Sequence, residues 1–352
     1  MGERYPYTRQ MRAVFFEQFN GPIAIKDIEV PYPAPKSVLI KVEATGLCRS
    51  DWHGYVGHDS DIALPHVPGH ELAGTVAQIG NQVKNFKVGD RVTVPFVNGC
   101  GTCEWCRSGN AQVCPTQTQP GFTQFGSFAE FVEIRNADFN LISLPEEISF
   151  EVAAALGCRF ATAFRGLTAR GGIKAGQLVA IFGCGGVGLS AVMIAKAFGA
   201  TVIAVDINDI ALENAKAAGA DIVLKSDSAV DEIQKLGGAH IAVDALGSQK
   251  TAESSVKSLR RMGKHIQLGL LLTEDGLTPM AMARVIGWEL ELIGSHGMAA
   301  VDYPQMLQLI ADKKLNPAQF IKRTISLDAA PEALRTMNET VQDGITIIKP
   351  VK

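Results

Sequence analysis

The run Ile181-Phe182-Gly183-Cys184-Gly185-Gly186-Val187-Gly188-Leu189-Ser190 constrains this chain more than any other. It follows an apolar stretch, Leu178–Phe182, that reads as a buried strand. It opens a segment, reaching Gly199, whose apolar residues fall at helical spacing. Strand, glycine turn and helix form the setting in which G-x-G-x-x-G carries meaning. Gly183 permits the tight turn, Gly185 lets backbone approach a pyrophosphate, and Gly188 lets the helix lie close to the sheet. The helix start then offers unpaired N–H groups and a positive dipole end to phosphate. A second strand, Thr201–Val205, ends in Asp206, about 20 residues beyond the glycines, where a ribose-binding carboxylate belongs.

The alternation continues downstream. Candidate strands at 178–182, 201–205, 221–224, 240–244, 264–268 and 290–294 are separated by helical patterns near 187–199, 209–218, 229–236, 251–261 and 279–287. Six apolar runs with intervening helices predict an α/β architecture with a doubly wound, six-stranded parallel sheet. Gly199-Ala200 and Gly219-Ala220 read as helix stops. Upstream, residues 12–95 carry short alternating runs such as Ser37–Val42 and Arg91–Val94 between Gly-, Pro- and Asp-containing turns, a β-rich pattern. Ser149 is placed to cap a helix through Ala153–Ala155. A helix at 303–313 and the run Thr346–Lys349 are too little for a further domain, so the C-terminal segment is expected to return to the β-rich region. The expected divisions are 1–159, 160–295 and 296–352.

Composition narrows the class. A length of 352 residues suits one to three domains, and 47% hydrophobic residues can fill sizeable cores. No apolar run approaches the roughly 18 residues of a membrane span. Met1–Phe16 carries Glu3, Arg4, Arg9 and Arg12 and has no apolar h-region, so no secretory signal and a cytoplasmic location are expected. A net charge of −3, without a long basic run or aromatic–basic interleaving, argues against nucleic acid as a partner. In a reducing compartment the seven cysteines more readily bind metal or do chemistry than form disulfides.

Four of them, Cys100-x2-Cys103-x2-Cys106-x7-Cys114, sit in a polar, glycine-containing loop at 98–126 that is long enough to need a stapling reason. Four thiolates match a closed, tetrahedral structural zinc site. An iron–sulfur cluster is the alternative, although the last gap is seven where the ferredoxin run has three. A second set is dispersed: Cys48-Arg49-Ser50-Asp51-Trp52-His53, then Gly69-His70-Glu71, then Gly157-Cys158. Each piece alone is ambiguous. Beside a nucleotide fold they suggest three protein ligands and one open position, the plan of catalytic zinc.

These motifs occur together in a fixed order: G-L-C-R-S-D-x-H at 46–53, G-H-E at 69–71, the cysteine loop, G-S-F-A-E-F at 126–131, G-C at 157–158, G-C-G-G-V-G at 183–188 and V-D at 205–206. In this the chain resembles the zinc-containing medium-chain alcohol dehydrogenases over nearly its whole length. The resemblance implies a GroES-like β domain holding catalytic zinc, a Rossmann domain, and an active site in the cleft. Position by position, it implies catalytic zinc on Cys48, His70 and Cys158, structural zinc on Cys100, Cys103, Cys106 and Cys114, and Asp51 behind the zinc histidine. It also implies Glu71 as the acid close behind the zinc, Ser50 and His53 as a proton relay, and Arg49 as a pyrophosphate contact. Phe96 falls at a pocket-lining aromatic, and Thr162 and Val187 fall near the nicotinamide. Gly183, Gly185, Gly186, Gly188 and Asp206 would hold the dinucleotide.

The implied reaction is reversible oxidation of an alcohol to an aldehyde or ketone by hydride transfer to NAD, with two Zn2+ per chain. Zinc would make the hydroxyl acidic, Ser50 would take its proton, and His53 would release it near neutral pH. Cys158 in place of Glu leans toward simple alcohols over polyols. Polyols, amino alcohols and aromatic alcohols remain alternative substrates, and a non-catalytic zinc- and dinucleotide-binding protein is the reading outside enzymes. Asp206, with no Arg or Lys at 207–210, predicts NAD over NADP. The family implies a homotetramer, with a dimer as alternative.

Overall fold

The computed structural model describes residues 10–272, 277–339 and 344–351. By contacts the chain forms two units. One comprises the described residues of Met1–Cys158, Ala299–Tyr303 and Ile321–Lys352. The other comprises Arg159–Met298 and Pro304–Phe320. The segment 296–352, expected to return to the β-rich region as a whole, is therefore divided between them.

The first unit opens with an antiparallel pair, β1 (Gln10–Phe16) and β2 (Ile23–Glu29). A sheet follows, built from β3 (Val38–Leu47), β4 (Glu71–Ile79), β5 (Arg91–Thr93), β6 (Phe131–Ile134) and β7 (Ile142–Ser143). β3 is its centre. It pairs antiparallel with β4 and with β6, and nearly every residue is buried, so the strand reads as an apolar run instead of an alternation. Val38, Ile40, Val42, Leu72, Val76, Val92 and Val132 pack as one core on this sheet. Ser149 caps the helix Phe150–Ala155, its hydroxyl accepting from the Val152 N–H at 3.3 Å.

The second unit holds β8 (Leu178–Phe182), β9 (Thr201–Asp206), β10 (Ile222–Lys225), β11 (Ala239–Asp244), β12 (Leu259–Gln267) and β13 (Glu291–Gly294). All pairs are parallel and the order is β10-β9-β8-β11-β12-β13. This is the doubly wound order, with the sheet reversing direction of growth next to β8. The helix expected over 251–261 ends at Ser258. Leu259 already pairs with Ala239 on β11, and sheet pairing overrides the helix-favouring Leu259-Arg260-Arg261-Met262 stretch. Two late strands, β14 (Ile321–Ser326) and β15 (Ile345–Lys349), rejoin the first unit, where β15 pairs antiparallel with β3. Among the described residues no helix is long and apolar enough to cross a membrane.

Candidate active site

The antiparallel pairing of β3 and β4 sets Gly46 opposite Glu71, so Cys48, just past the end of β3, meets His70 and Glu71 at the start of β4. Cys158 arrives on a π-helical turn, Leu156–Phe160, a backbone irregularity enriched at functional sites. One donor atom from each of Cys48, His70, Glu71 and Cys158 lies within 4.8 Å of all the others. Cys48, His70 and Glu71 are buried and Cys158 half-buried.

Asp51, only 1% exposed, organises this centre. Its Oδ2 accepts from the Cys48 N–H at 2.8 Å. Its Oδ1 accepts from the Gly69 N–H at 3.2 Å and lies 2.8 Å from His70 Nδ1. Occupying Nδ1 turns Nε2 toward the other donors, and this fully buried nitrogen has no hydrogen-bond partner among the described residues. An orphaned buried nitrogen is costly unless something binds it. Burial alone would hold the imidazole neutral. The facing Asp51 carboxylate, with Cys48 beside it, outweighs that and raises the His70 pKa well above the usual value. The pocket is built for positive charge, and a divalent cation on Nε2 would supply it.

Further residues surround the centre. Ser50 Oγ is 3.9 Å from Cys48 Sγ. Half-buried His53 meets His58 through their Nδ1 atoms, 2.9 Å apart. Arg49 is exposed, donates to Asn338 Oδ1 at 2.6 Å and stands over Trp52. The Phe96 ring is edge-on to His70, with centroids 6.1 Å apart. Three neighbours were not singled out from the sequence. Phe122 lies closer to the His70 ring, at 5.1 Å, but sits in a stretch without periodicity. His58 lies outside the motif that carries His53. Tyr303, fully buried, donates to the Gly157 carbonyl at 3.3 Å. Burial, reinforced by Cys158 and Glu71, raises its pKa and keeps the hydroxyl protonated. None of the three had a sequence signal beyond residue type.

The four-cysteine loop gathers a separate centre, its sulfurs all within 4.8 Å. Cys100 and Cys106 Sγ are 3.9 Å apart, and Cys103 and Cys114 Sγ 3.7 Å. A tetrahedron with metal–sulfur bonds of about 2.3 Å has sulfur–sulfur edges of about 3.8 Å. The spacing fits one ion, whereas an iron–sulfur cluster spreads its thiolates over several irons. Backbone N–H groups of Thr102 and Cys103 point at Cys100 Sγ, and that of Cys106 at Cys103 Sγ. Hydrogen bonding by the Thr102 hydroxyl and by these N–H groups pulls Cys100 down to about 5, while burial pushes Cys106 up to about 12. Four thiolates this close repel, and a central divalent cation would resolve the conflict.

In the second unit, Gly183 has a φ of +91°. A side chain on Gly188 would begin 1.8 Å from the Gly183 carbonyl oxygen. Only glycine fits there. Before the helix Gly186–Ala197, Gly185 faces open space, so the helix start is accessible. Arg159 packs on Gly186, Val187 is half-buried on the first turn, and Thr162 is buried on the helix Ala161–Arg165. Asp206 accepts from the Cys184 N–H at 2.7 Å and the Asn208 N–H at 2.9 Å, which fixes it beside the glycine turn. Lys225, opposite Asp206 on β10, brings a cation that 207–210 lack. Its Nζ lies 2.6 Å from Asp209 Oδ1 and donates to the Ile207 carbonyl at 3.1 Å.

Residues 34–146 match the alcohol dehydrogenase GroES-like domain, and residues 186–312 match the zinc-binding dehydrogenase family. An alcohol dehydrogenase of Geobacillus stearothermophilus is 37% identical over 87% of this chain and 90% of its own length. An NAD-dependent alcohol dehydrogenase of Sulfurisphaera tokodaii is 32% identical over 97% of this chain and 100% of its own. Among solved structures, a zinc-binding dehydrogenase of Sinorhizobium meliloti with NADP bound superposes with a TM-score of 0.87 at 27% identity, covering 97% of this chain and 100% of that one. With its GroES-like and Rossmann folds, its buried cysteine–histidine pocket and its glycine turn, this chain belongs to the zinc-containing medium-chain alcohol dehydrogenases and is an oxidoreductase.

Proposed function

We propose that the protein is an NAD-dependent zinc alcohol dehydrogenase that reversibly oxidises alcohols to aldehydes or ketones, with one catalytic and one structural zinc per chain. The observation that carries this reading is His70, whose Nδ1 is engaged by Asp51 and whose buried Nε2 is left facing two cysteines and a glutamate. Cys48, His70 and Cys158 would hold the catalytic ion, with Glu71 as the acid close behind it, and the four-cysteine loop the structural one. Bound in the pocket, zinc supplies Lewis-acid chemistry, acidifying a hydroxyl or polarising a carbonyl.

The chain's own residues do the rest. Asp51 holds the His70 ring in one tautomer and orientation. Ser50, next to Cys48, takes the hydroxyl proton, and His53 exchanges it with solvent. Burial, His58 and Arg49 lower the His53 pKa, so the ring is neutral and able to accept a proton at neutral pH. Phe96 and Phe122, both packed on the His70 ring, make the substrate side apolar and keep water from the reacting carbon. Gly183, Gly185, Gly186 and Gly188 would receive the pyrophosphate, with Arg49 as a further contact, and Asp206 would take the adenine-ribose hydroxyls. Thr162 and Val187 would lie toward the nicotinamide.

The test is NAD and NADP reduction with ethanol, butanol, cyclohexanol, benzyl alcohol and sorbitol, run beside elemental analysis. Turnover of simple alcohols with NAD and two zinc per chain are expected. Sorbitol as the best substrate, or no turnover with any alcohol, would overturn the substrate assignment. The assembly we propose is a homotetramer, with a dimer as the alternative. A monomeric mass in light scattering at micromolar concentration would refute both.

A further inference from the structure

The five residues Ala299–Tyr303 belong to the first unit, while the chain on either side of them belongs to the second. They form a single 3-10 turn, Ala300–Asp302, flanked by two fully buried side chains. At one end Ala299, 2% exposed, packs in the same cluster as Cys106, Ala111 and Cys114. Val301 Cγ1 lies 3.9 Å from where a side chain on Gly109 would begin, also in the cysteine loop. At the other end Tyr303, with no exposed surface, donates its hydroxyl to the carbonyl of Gly157, the residue before Cys158. Only the three residues of the turn separate Ala299 from Tyr303, which opens the helix Tyr303–Ala311, so the connection is short.

We propose that Ala299–Tyr303 is a strut through which the ion held by the four-cysteine loop fixes the position of Cys158. This rests on the two-metal reading above. The cysteine loop has little secondary structure of its own, only the short helix Glu104–Arg107 and the 3-10 turn Ala111–Val113. Its shape therefore depends on the ion that closes it. The surface on which Ala299 rests exists only when that loop is closed. Tyr303 carries that placement to the π-helical turn that bears Cys158, where an unanchored carbonyl would let the ligand drift. Tyr303 touches neither ion nor substrate and is a positioning residue. The loop's metal then does more than stabilise the fold, because it sets how tightly the catalytic pocket grips its own ion.

Zinc release to a metallochromic chelator reads that grip directly, independent of turnover. The phase that disappears in Cys48→Ser marks the pocket. Cys103→Ala should speed the pocket phase by about tenfold, within the range for outer-shell partners of a metal site. Tyr303→Phe should do the same with the loop intact, and the double variant should be no faster than the faster single, the signature of one shared path. Ala299→Gly leaves every ligand in place and should speed the pocket phase by roughly threefold while both zinc ions remain. It carries the test if Cys103→Ala does not fold. A pocket phase unchanged in Ala299→Gly, or effects of Cys103→Ala and Tyr303→Phe that multiply, would overturn the strut. Fewer than two zinc per chain in the unmodified protein would instead overturn the two-metal reading beneath it.

Discussion

The four-cysteine loop draws its donors from positions 100–114, whereas the second cluster collects Cys48, His70, Glu71 and Cys158 from three distant places in the chain. The loop is chemically uniform, partly exposed, and braced by backbone N–H groups aimed at sulfur. The pocket is mixed and buried, and its histidine is held by a carboxylate with no exposed surface to speak of. A closed set of four like ligands satisfies its ion and leaves nothing for a substrate. A three-ligand set with an oriented imidazole leaves room for a reacting oxygen. The loop's geometry is local, and a short spacing rule captures it. The pocket's geometry is a product of the fold and exists only once β3 has paired with β4.

The largest effects should differ in kind between the two clusters. Cys48→Ala removes a pocket ligand, and loss of several kcal/mol of transition-state stabilisation predicts a fall in kcat/KM of about a thousandfold or more. Thermal stability should change little. Cys103→Ala should do the reverse, lowering Tm by roughly 10 °C, since a structural ion contributes folding free energy outright. Turnover per protein with zinc in the pocket should stay within about threefold of the unmodified enzyme. Parallel calorimetry and steady-state kinetics check both. Equal loss of stability in the two variants would break the contrast.

The same division explains what could be read before the structure. The six strands of the second unit were legible because a parallel sheet covered on both faces needs continuous apolar runs, as in Leu178–Phe182 and Thr201–Val205. The cysteine loop was legible from spacing. By contrast, Cys48, His70 and Cys158 gained meaning only from their order among other motifs, because no periodicity joins residues so far apart. The helix expected over 251–261 overran because Leu259 and the residues after it favour helix locally, while pairing to Ala239 is a tertiary fact. Tyr303, Phe122 and His58 are ordinary residues made important by neighbours that the fold supplies.

Cofactor choice tests that boundary in the second unit, where the glycine turn is contiguous but its surroundings are not. Asp206 would accept from ribose hydroxyls and repel a 2′-phosphate. Roughly 3 kcal/mol of lost hydrogen bonds and repulsion predicts about a hundredfold preference for NAD. Lys225, invisible to a reading of 207–210, is occupied by Asp209 in an exposed pair that contributes little. Asp206→Gly with Ile207→Arg should therefore shrink or invert the preference and leave zinc content alone. Lys225→Met should lower only the NADP kcat/KM, by about threefold. Equal efficiency with both cofactors in the unmodified protein would mean that Asp206 does not face the ribose.

Within the pocket, Asp51→Asn should show how much the buried carboxylate contributes. Removing an outer-shell partner of a ligating imidazole costs about 10- to 100-fold in metal affinity or activity. Asn keeps one acceptor oxygen, which can serve either the Gly69 N–H or the Cys48 N–H and leaves its NH2 facing the other, so zinc affinity should fall and some stability with it. Competition with a chelator of known affinity measures it. The cysteine loop's sulfurs are instead met by backbone N–H groups and threonine hydroxyls, so an ion held there should be untouched.

The last effect expected is the most pH-dependent. His53 is half-buried, and burial, the His58 ring and the Arg49 cation all lower its pKa from 6.5. The neutral ring, the form that accepts a proton, therefore dominates at pH 7. As pH falls through the lowered pKa the ring becomes charged and can no longer take the proton of alcohol oxidation. The acid limb of the kcat/KM profile should thus lie below pH 6.5. His53→Gln removes that limb and leaves a rate that climbs with hydroxide. The loss should be about tenfold or more at pH 7 and should shrink toward pH 9. His58 shares a hydrogen bond with His53 through the Nδ1 atoms, only one of which can carry the proton between them. His58→Gln removes the larger of the two neighbouring influences that disfavour charge on His53, so it should move the acid limb upward without abolishing it. A profile for His53→Gln that superimposes on that of the unmodified enzyme would take His53 out of the proton path. The relay would then have to leave the pocket by another route from Ser50.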